Sequence, residues 1–442
     1  MRSLEIFKNV KKTTFQIVIV DLLFLIGALQ SSMIVRSIAA LFFIGFILSD
    51  DVYDGVSLLI GMSANQAILV LTSDGLSIVG VGYLLIAFKI FTAYRGKVYV
   101  SKKIIRPFLV LLSIGIILIL KYGSFYDFAI ALEVFLTIFV LILFAREATF
   151  ETKKNIITYY ILGAFLCATN LLVSYVIYGY SGERANGVMD NANYTAVSFA
   201  FSAICCLILY CHKKNTLLNL FLFLFFVLML LLTGSRGALL ALIVAIIWML
   251  FWGFSRMGRV RNMLLILVVG LIALYISYSM KVSVIVYIYD NVIGRTIERL
   301  SESNRGQYMD ISSGRITLWE YYINAFKNES LNCQLFGNGS NRYYLKEYGG
   351  FGQMSHSILL GSLMGIGIIG TIAALVMYGH FYKCVVYAKT KKHKTNLVGA
   401  LWITFVVAYL FVDGIFDLRI LIYIFVAAIV KLVITQETIL ET

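Results

Sequence analysis

Charge is what this sequence has least of. Only 14% of its 442 residues are Asp, Glu, Lys or Arg, against roughly 25% in soluble domains. Sixty per cent are hydrophobic, and the mean hydropathy is +0.89. In water such a chain could not cover its apolar surface. That excludes a soluble protein of two or three domains and makes lipid the solvent. Proline is nearly absent, and the single one, Pro107, opens an apolar run after a basic loop. Cysteines are few, and Cys167, Cys205, Cys206, Cys211 and Cys384 sit in or beside apolar runs, with only Cys333 in a polar stretch. This argues against a disulfide framework and for packing thiols. There is no cofactor motif and no convincing internal repeat. No small-residue cleavage site follows the first apolar stretch, Thr14 to Leu29, which comes after Lys8, Lys11 and Lys12. It reads as a retained signal anchor.

What is present is a succession of long apolar runs. A spanning helix needs about 20 mostly apolar residues, and about fourteen runs qualify. They cover 14–30, 33–48, 56–72, 76–94, 104–120, 126–145, 156–178, 193–211, 215–233, 236–254, 262–280, 357–379, 396–412 and 415–434. The second, third and thirteenth are short or polar, so twelve spans is the alternative. The expected fold is an all-α polytopic bundle: transmembrane helices over 1–280, one large extracytoplasmic loop over 281–356, and further transmembrane helices over 357–442.

The formal net charge is +14. The basic residues lie between apolar runs and form no groove or arm, which speaks against a nucleic-acid partner. They set topology instead. With the N-terminus inside, about two thirds of the Lys and Arg residues fall in inner loops. The short outer connections hold only Arg36, Lys121, Arg184, Arg236 and Arg419, and the remainder lie in the long outer loop. Within that loop Ile316, Leu318, Trp319, Tyr322, Ile323 and Phe326 recur at helical spacing, which predicts an amphipathic helix over 315–328 with Ser312 or Ser313 at its start. A loop this long with its own helix is more often functional than a mere connection. Glycines within the spans suit close helix packing in lipid.

Residues with chemistry gather on the predicted outer face. His356 is the only histidine there; His212, His380 and His393 fall inside. An imidazole at that position can take a proton from a hydroxyl. Arg184 and Arg236 break the topology bias. Arg236 also lies in the first turn of a helix that Thr233 or Ser235 could cap, where arginine and free backbone amides together favour a phosphate. Arg295, Arg299, Arg315 and Arg342 add cations from the long loop. Of the acids, only Asp50, Asp51 and Asp54 stand close together. The charge count puts them inside as a solvated turn; facing outside, they could hold a divalent ion on a diphosphate.

These motifs resemble, in order, those of the O-antigen polymerase and O-antigen ligase superfamily over roughly residues 180 to 375. The matching elements are Arg184, Gly187 and Asn193 before a span; Ser235, Arg236 and Gly237 at a turn; Gly314, Arg315 and Trp319 on the loop helix; Gly337 and Gly339; and His356 leading into a Gly-rich span. The family often has Asn-Pro-Asn where this chain has Asn191, Ala192 and Asn193, and His-Asn where it has His356 and Ser357. The resemblance implies a membrane-embedded, inverting glycosyltransferase that needs no metal or other cofactor. Its substrate would be a glycan on undecaprenyl diphosphate, and its site would face out from the cytoplasmic (inner) membrane. It implies catalytic roles for His356, Arg236 and Arg315; diphosphate binding by Arg184, Arg236, Arg315, Arg342 and Ser235; and glycan binding by Asn193, Trp319 and Gly339. A flippase and a chain-length regulator are the protein partners that such a role implies. The implied product is O-antigen, capsular polysaccharide or exopolysaccharide; composition leans toward a capsule or exopolysaccharide polymerase, with a ligase as the alternative. A transporter of lipid-linked sugars is the rival from another class. It should carry mid-membrane charges and repeats, whereas the notable charges here gather at the outer edge.

Overall fold

The structure is a computed structural model and describes residues 2–65, 78–93, 101–123, 125–178, 192–212, 216–252, 279–281, 286, 289–290, 315–339, 355–386, 396–412 and 417–441. Every regular element among these residues is helical, so the chain is an all-α polytopic membrane protein. The helices are α1 Arg2–Leu29, α2 Met33–Ser49, α3 Val52–Met62, α4 Ile78–Ala93, α5 Lys102–Tyr122, α6 Tyr126–Glu147, α7 Phe150–Tyr178, α8 Ala192–Cys211, α9 Thr216–Thr233, α10 Arg236–Trp252, α11 Arg315–Asn328, α12 Leu331–Phe336, α13 Ile358–Val386, α14 Gly399–Tyr409 and α15 Leu418–Glu441. Among the described residues, α1, α5, α6, α7, α8, α13 and α15 are long and apolar enough to cross a bilayer, while α2, α4, α9, α10 and α14 are apolar but shorter. The eleventh expected span (262–280) lies outside the described residues but for its last two positions. Arg184, Arg342, Ser312 and Ser313 lie outside them too.

Local chemistry sets the helix ends. Asp51 accepts the backbone N–H groups of Tyr53 and Asp54, both at 2.8 Å, and so starts α3 at Val52, upstream of the expected 56. A 3-10 turn, Ser63–Asn65, follows α3. Asp50 pairs with Lys12 at 2.5 Å, and the Lys89 ammonium donates to the carbonyls of Ile47, Leu48 and Asp50 at the end of α2, where a cation complements the helix dipole. The three aspartates therefore form a helix junction at the lysine-bearing end of the bundle, the end that the charge count places inside.

The most enclosed spans are α8 and α15, each 83% buried over its membrane window, against 39% for α5. Small residues on α8 (Ala196, Ser198, Ala200, Ser202 and Ala203) are all buried and allow neighbours to approach on every side. The Ser198 and Tyr423 hydroxyls meet at 2.8 Å and tie α8 to α15. Asp21, in the middle of the apolar window 12–29 of α1, is only 2% exposed. A carboxyl there is costly unless satisfied, and the Asn170 amide donates to both of its oxygens at 3.1 Å. The Asn65 amide donates to the Gly163 carbonyl at 3.2 Å, so polar contacts join α1, α7 and the turn after α3.

The break in α13 organises the rest. Gly367 has φ 69° and ψ −177°, which interrupts the helix inside the bundle. Backbone groups freed at such depth must be satisfied by protein. The carbonyls of Met364 and Gly365 accept the N–H groups of Asn338 (2.9 Å) and Gly339 (2.8 Å). The two backbones lie in contact: a Cβ on Gly337 would fall on the Gly365 carbonyl, and one on Gly367 on the Leu335 carbonyl. Both glycines also need positive φ, which costs other residues about 1–3 kcal/mol. Gly337→Ala and Gly367→Ala should each destabilise the purified protein by at least that much, read as a lowered unfolding midpoint in detergent. Gly379→Ala, inside the same helix and with nothing within 4 Å of its added methyl, should not lower the midpoint.

Candidate active site

The site lies at the end of the bundle opposite the lysine cluster, where α8, α10, α13 and α15 all begin. The turn into α10 is built locally. Gly234 takes φ 61°, and the Thr233 hydroxyl donates to the Leu230 carbonyl (2.6 Å) and accepts the Ser235 N–H (3.3 Å). The Ser235 hydroxyl does not cap α10. It donates to the Asn193 side-chain carbonyl at 3.1 Å, which binds the first turn of α8 to the residue before Arg236. Two motifs more than forty positions apart thus form one structure, joined by the hydroxyl that Ser235 donates to Asn193.

The loop helix forms over the predicted range, Arg315–Asn328. Leu318 and Tyr322 are its buried stripe and pack on Met364 of α13. Ile316 and Ile323, expected on the same face, are exposed. Arg315 and Trp319, one turn apart, both reach Phe411, just past the end of α14. The Arg315 guanidinium lies 5.4 Å from the Phe411 ring centroid, and the Trp319 ring stacks on it at 6.1 Å with 24° between planes. Gly237 in the first turn of α10 presses on the same residue, with its missing Cβ 2.9 Å from the Phe411 Cβ. Phe411 is therefore the hub on which the loop helix and the Arg236 turn meet.

His356 joins this group through its neighbour. The Trp319 indole N–H donates to the Ser355 carbonyl at 3.0 Å. The Ser355 hydroxyl donates to the Ser357 carbonyl (3.1 Å) and accepts the Ser357 N–H (3.3 Å), pinning the turn that leads into α13. His356 at the apex has φ 50°. Non-glycine residues rarely adopt this left-handed region, and such strain persists only where the surroundings enforce it. Gly339 stands apart from the hub: it is buried on α13, with its Cβ position 3.4 Å from an Asp127 oxygen.

Sequence reasoning missed two parts of this arrangement. Phe411 carries no mark that separates it from other aromatics at span ends. Arg419 registered only as an outer basic residue. Its guanidinium holds Asp417, with Nε 2.9 Å from both carboxylate oxygens and Nη2 2.7 Å from one, and lies 3.9 Å from the Tyr194 ring centroid.

Chemically, the site offers guanidinium charge, helix N-termini that favour anions, stacked aromatics and an imidazole. Residues 221–375 match the family model described as O-antigen ligase. That segment, about a third of the chain, is similar to this family. The match supports the O-antigen ligase and polymerase superfamily, whose members are membrane glycosyltransferase-like enzymes. No curated protein and no solved structure matches the chain. Within the O-antigen ligase segment fall Ser235, Arg236, Arg315, Trp319, Gly339, Arg342 and His356, while Asn193, Phe411 and Arg419 lie beyond it. The contact between Trp319 and Ser355 is open to a direct test. Trp319→Phe keeps a ring on Phe411 and removes one hydrogen bond, so it should cost about 1 kcal/mol of stability. Trp319→Leu also removes the ring stacking and should cost about 1 kcal/mol more. Thermal unfolding of the two variants in one detergent measures the difference.

Proposed function

We propose that this protein polymerises oligosaccharide repeat units carried on undecaprenyl diphosphate, at the outer face of the cytoplasmic membrane. The observation that carries this reading is the convergence on Phe411: Arg315, Trp319 and the Arg236 turn meet there, and the residue before His356 is bonded to the same indole. Cations for a diphosphate, flat faces for a sugar and a base for a hydroxyl then lie at one mouth.

In the reaction, the non-reducing-end hydroxyl of an incoming lipid-linked unit attacks the anomeric carbon of the growing chain. The new C–O bond forms as the bond from that carbon to the diphosphate breaks, with inversion. The bonding pair leaves on the diphosphate, and His356 takes the hydroxyl proton. Arg236 and Arg315, aimed beforehand, stabilise the charge that grows on the leaving group. Their charge serves where a divalent ion otherwise would, and diphosphate is already a good leaving group. Arg184 and Arg342 share this role by their motifs. Asn193 and Trp319 face the glycan, and Gly339 shapes the site through its backbone. A ligase would differ in the acceptor alone.

The test is chain extension from a radiolabelled lipid-linked repeat unit by the purified protein in detergent. A ladder of products is expected. A single transfer to a different acceptor would make the protein a ligase, and no extension at all would return the transporter reading, which needs a sealed vesicle. His356→Ala and Arg236→Ala should each lower extension at least about a hundredfold, with normal insertion in the membrane. Normal polymer from either variant removes that residue from the mechanism.

A further inference from the structure

Arg419 is a cation that the proposed reaction does not use. Its side chain is 16% exposed and that of Asp417 is 8% exposed. Its Nε and Nη2 bind the Asp417 carboxylate, and its plane covers the Tyr194 ring at 3.9 Å. The Asp417 carboxylate also accepts the Arg419 backbone N–H (2.9 Å) and the Tyr409 hydroxyl (3.3 Å). A guanidinium so engaged is poorly placed to bind a diphosphate, yet it reaches two elements of the site, Tyr194 directly and Tyr409 through Asp417. Tyr194 is next to Asn193, which holds Ser235. Tyr409 ends α14, two residues before Phe411.

We infer that Arg419 is a positioning residue: pairing with Asp417 and stacking on Tyr194, it holds Asn193 against Ser235 and fixes the chain that presents Phe411 to Arg315 and Trp319. The inference rests on the glycosyltransfer reading for its consequence in catalysis, but its geometry stands without it. Lysine would not replace Arg419. The planar fork binds carboxylate at two points while its face stacks on the ring, and an ammonium does neither.

Two measurements on the full chain in detergent test this. The first is hydrogen exchange. In Arg419→Gln, exchange should rise several-fold over 192–198 and 234–239, and Arg419→Lys should not restore the protection. Unchanged exchange in both segments overturns the inference, whatever the protein does to glycans. The second is a double-mutant cycle on chain extension with Arg419→Gln and Ser235→Ala. For independent residues the losses in kcat/KM multiply to within about twofold. If Arg419 acts through the contact between Asn193 and Ser235, the double variant is far less impaired than that product. A multiplicative result overturns the inference. Should Arg419→Gln fail to fold, Tyr194→Leu keeps the ion pair and removes the covered ring, and it reports through the same two readouts. Wild-type protein that extends no chain removes the glycosyltransfer reading and leaves exchange to decide this one.

Discussion

The architecture depends on a pairing of irregular backbones inside the bundle. Gly367 breaks α13, and the freed carbonyls of Met364 and Gly365 accept the N–H groups of residues 338 and 339. Hydrocarbon offers these groups no partner, so the pairing has to be made by protein and has to be close. Its consequence is positional. The segment 315–339 is held on the bundle instead of floating above it. Two contacts with α5 strengthen the attachment: the Tyr122 hydroxyl reaches Asn338 at 2.9 Å, and the Lys121 ammonium reaches the Cys333 sulfur at 3.1 Å. With α12 docked, α11 lies along α13, and its Arg315 and Trp319 come to the start of that helix, where His356 sits.

Guanidinium groups at the edge of a membrane are costly, and the two best-defined ones here share a solution. Arg315 lies over Phe411, and Arg419 lies over Tyr194. An aromatic face attracts the cation and keeps its plane fixed without neutralising it. The two differ in what else they hold. Arg419 has a carboxylate at 2.7–2.9 Å, which makes it a structural cation. Arg315 begins the loop helix, and its guanidinium meets the Phe411 ring from that side.

Sequence patterns revealed those parts of the fold that depend on length and period. The helix over 315–328 was legible because its apolar positions recur at helical spacing, and the spans from α4 to α10 because each run is long and bounded by lysines, arginines or glycines. The convergence of Ser235, Arg236, Arg315, Trp319 and His356 at one end was legible through orientation, since the same charge bias assigns all of them to one side. What escaped depends on contacts between distant residues. Phe411 is one aromatic among 32 phenylalanines, and only the fold singles it out. Gly367 is one glycine in a Gly-rich span, and the helix break appears only when Gly337 is placed against it. The buried Asp21 escaped because its partner Asn170 is on another helix, far away in sequence.

The position of the site at helix ends also follows from the chemistry proposed for it. A diphosphate bearing a long lipid cannot be drawn into hydrocarbon, since desolvating its charge would cost more than guanidinium groups return. The tail cannot leave the bilayer either. The reactive bond is therefore confined to a thin layer at the membrane surface, and the protein must bring its cations to that layer. Helix N-termini are the economical place to do so: each carries unsatisfied N–H groups that favour an anion, and each holds its first residues on rigid scaffolding. Arg236, Arg315, Asn193 and Arg419 all occupy first turns, and His356 lies just before one. Such a site is held by contacts between helix starts and not by mid-span polar residues. That is why a single aromatic ring, Phe411, can set the spacing between cations that come from elements widely separated in sequence.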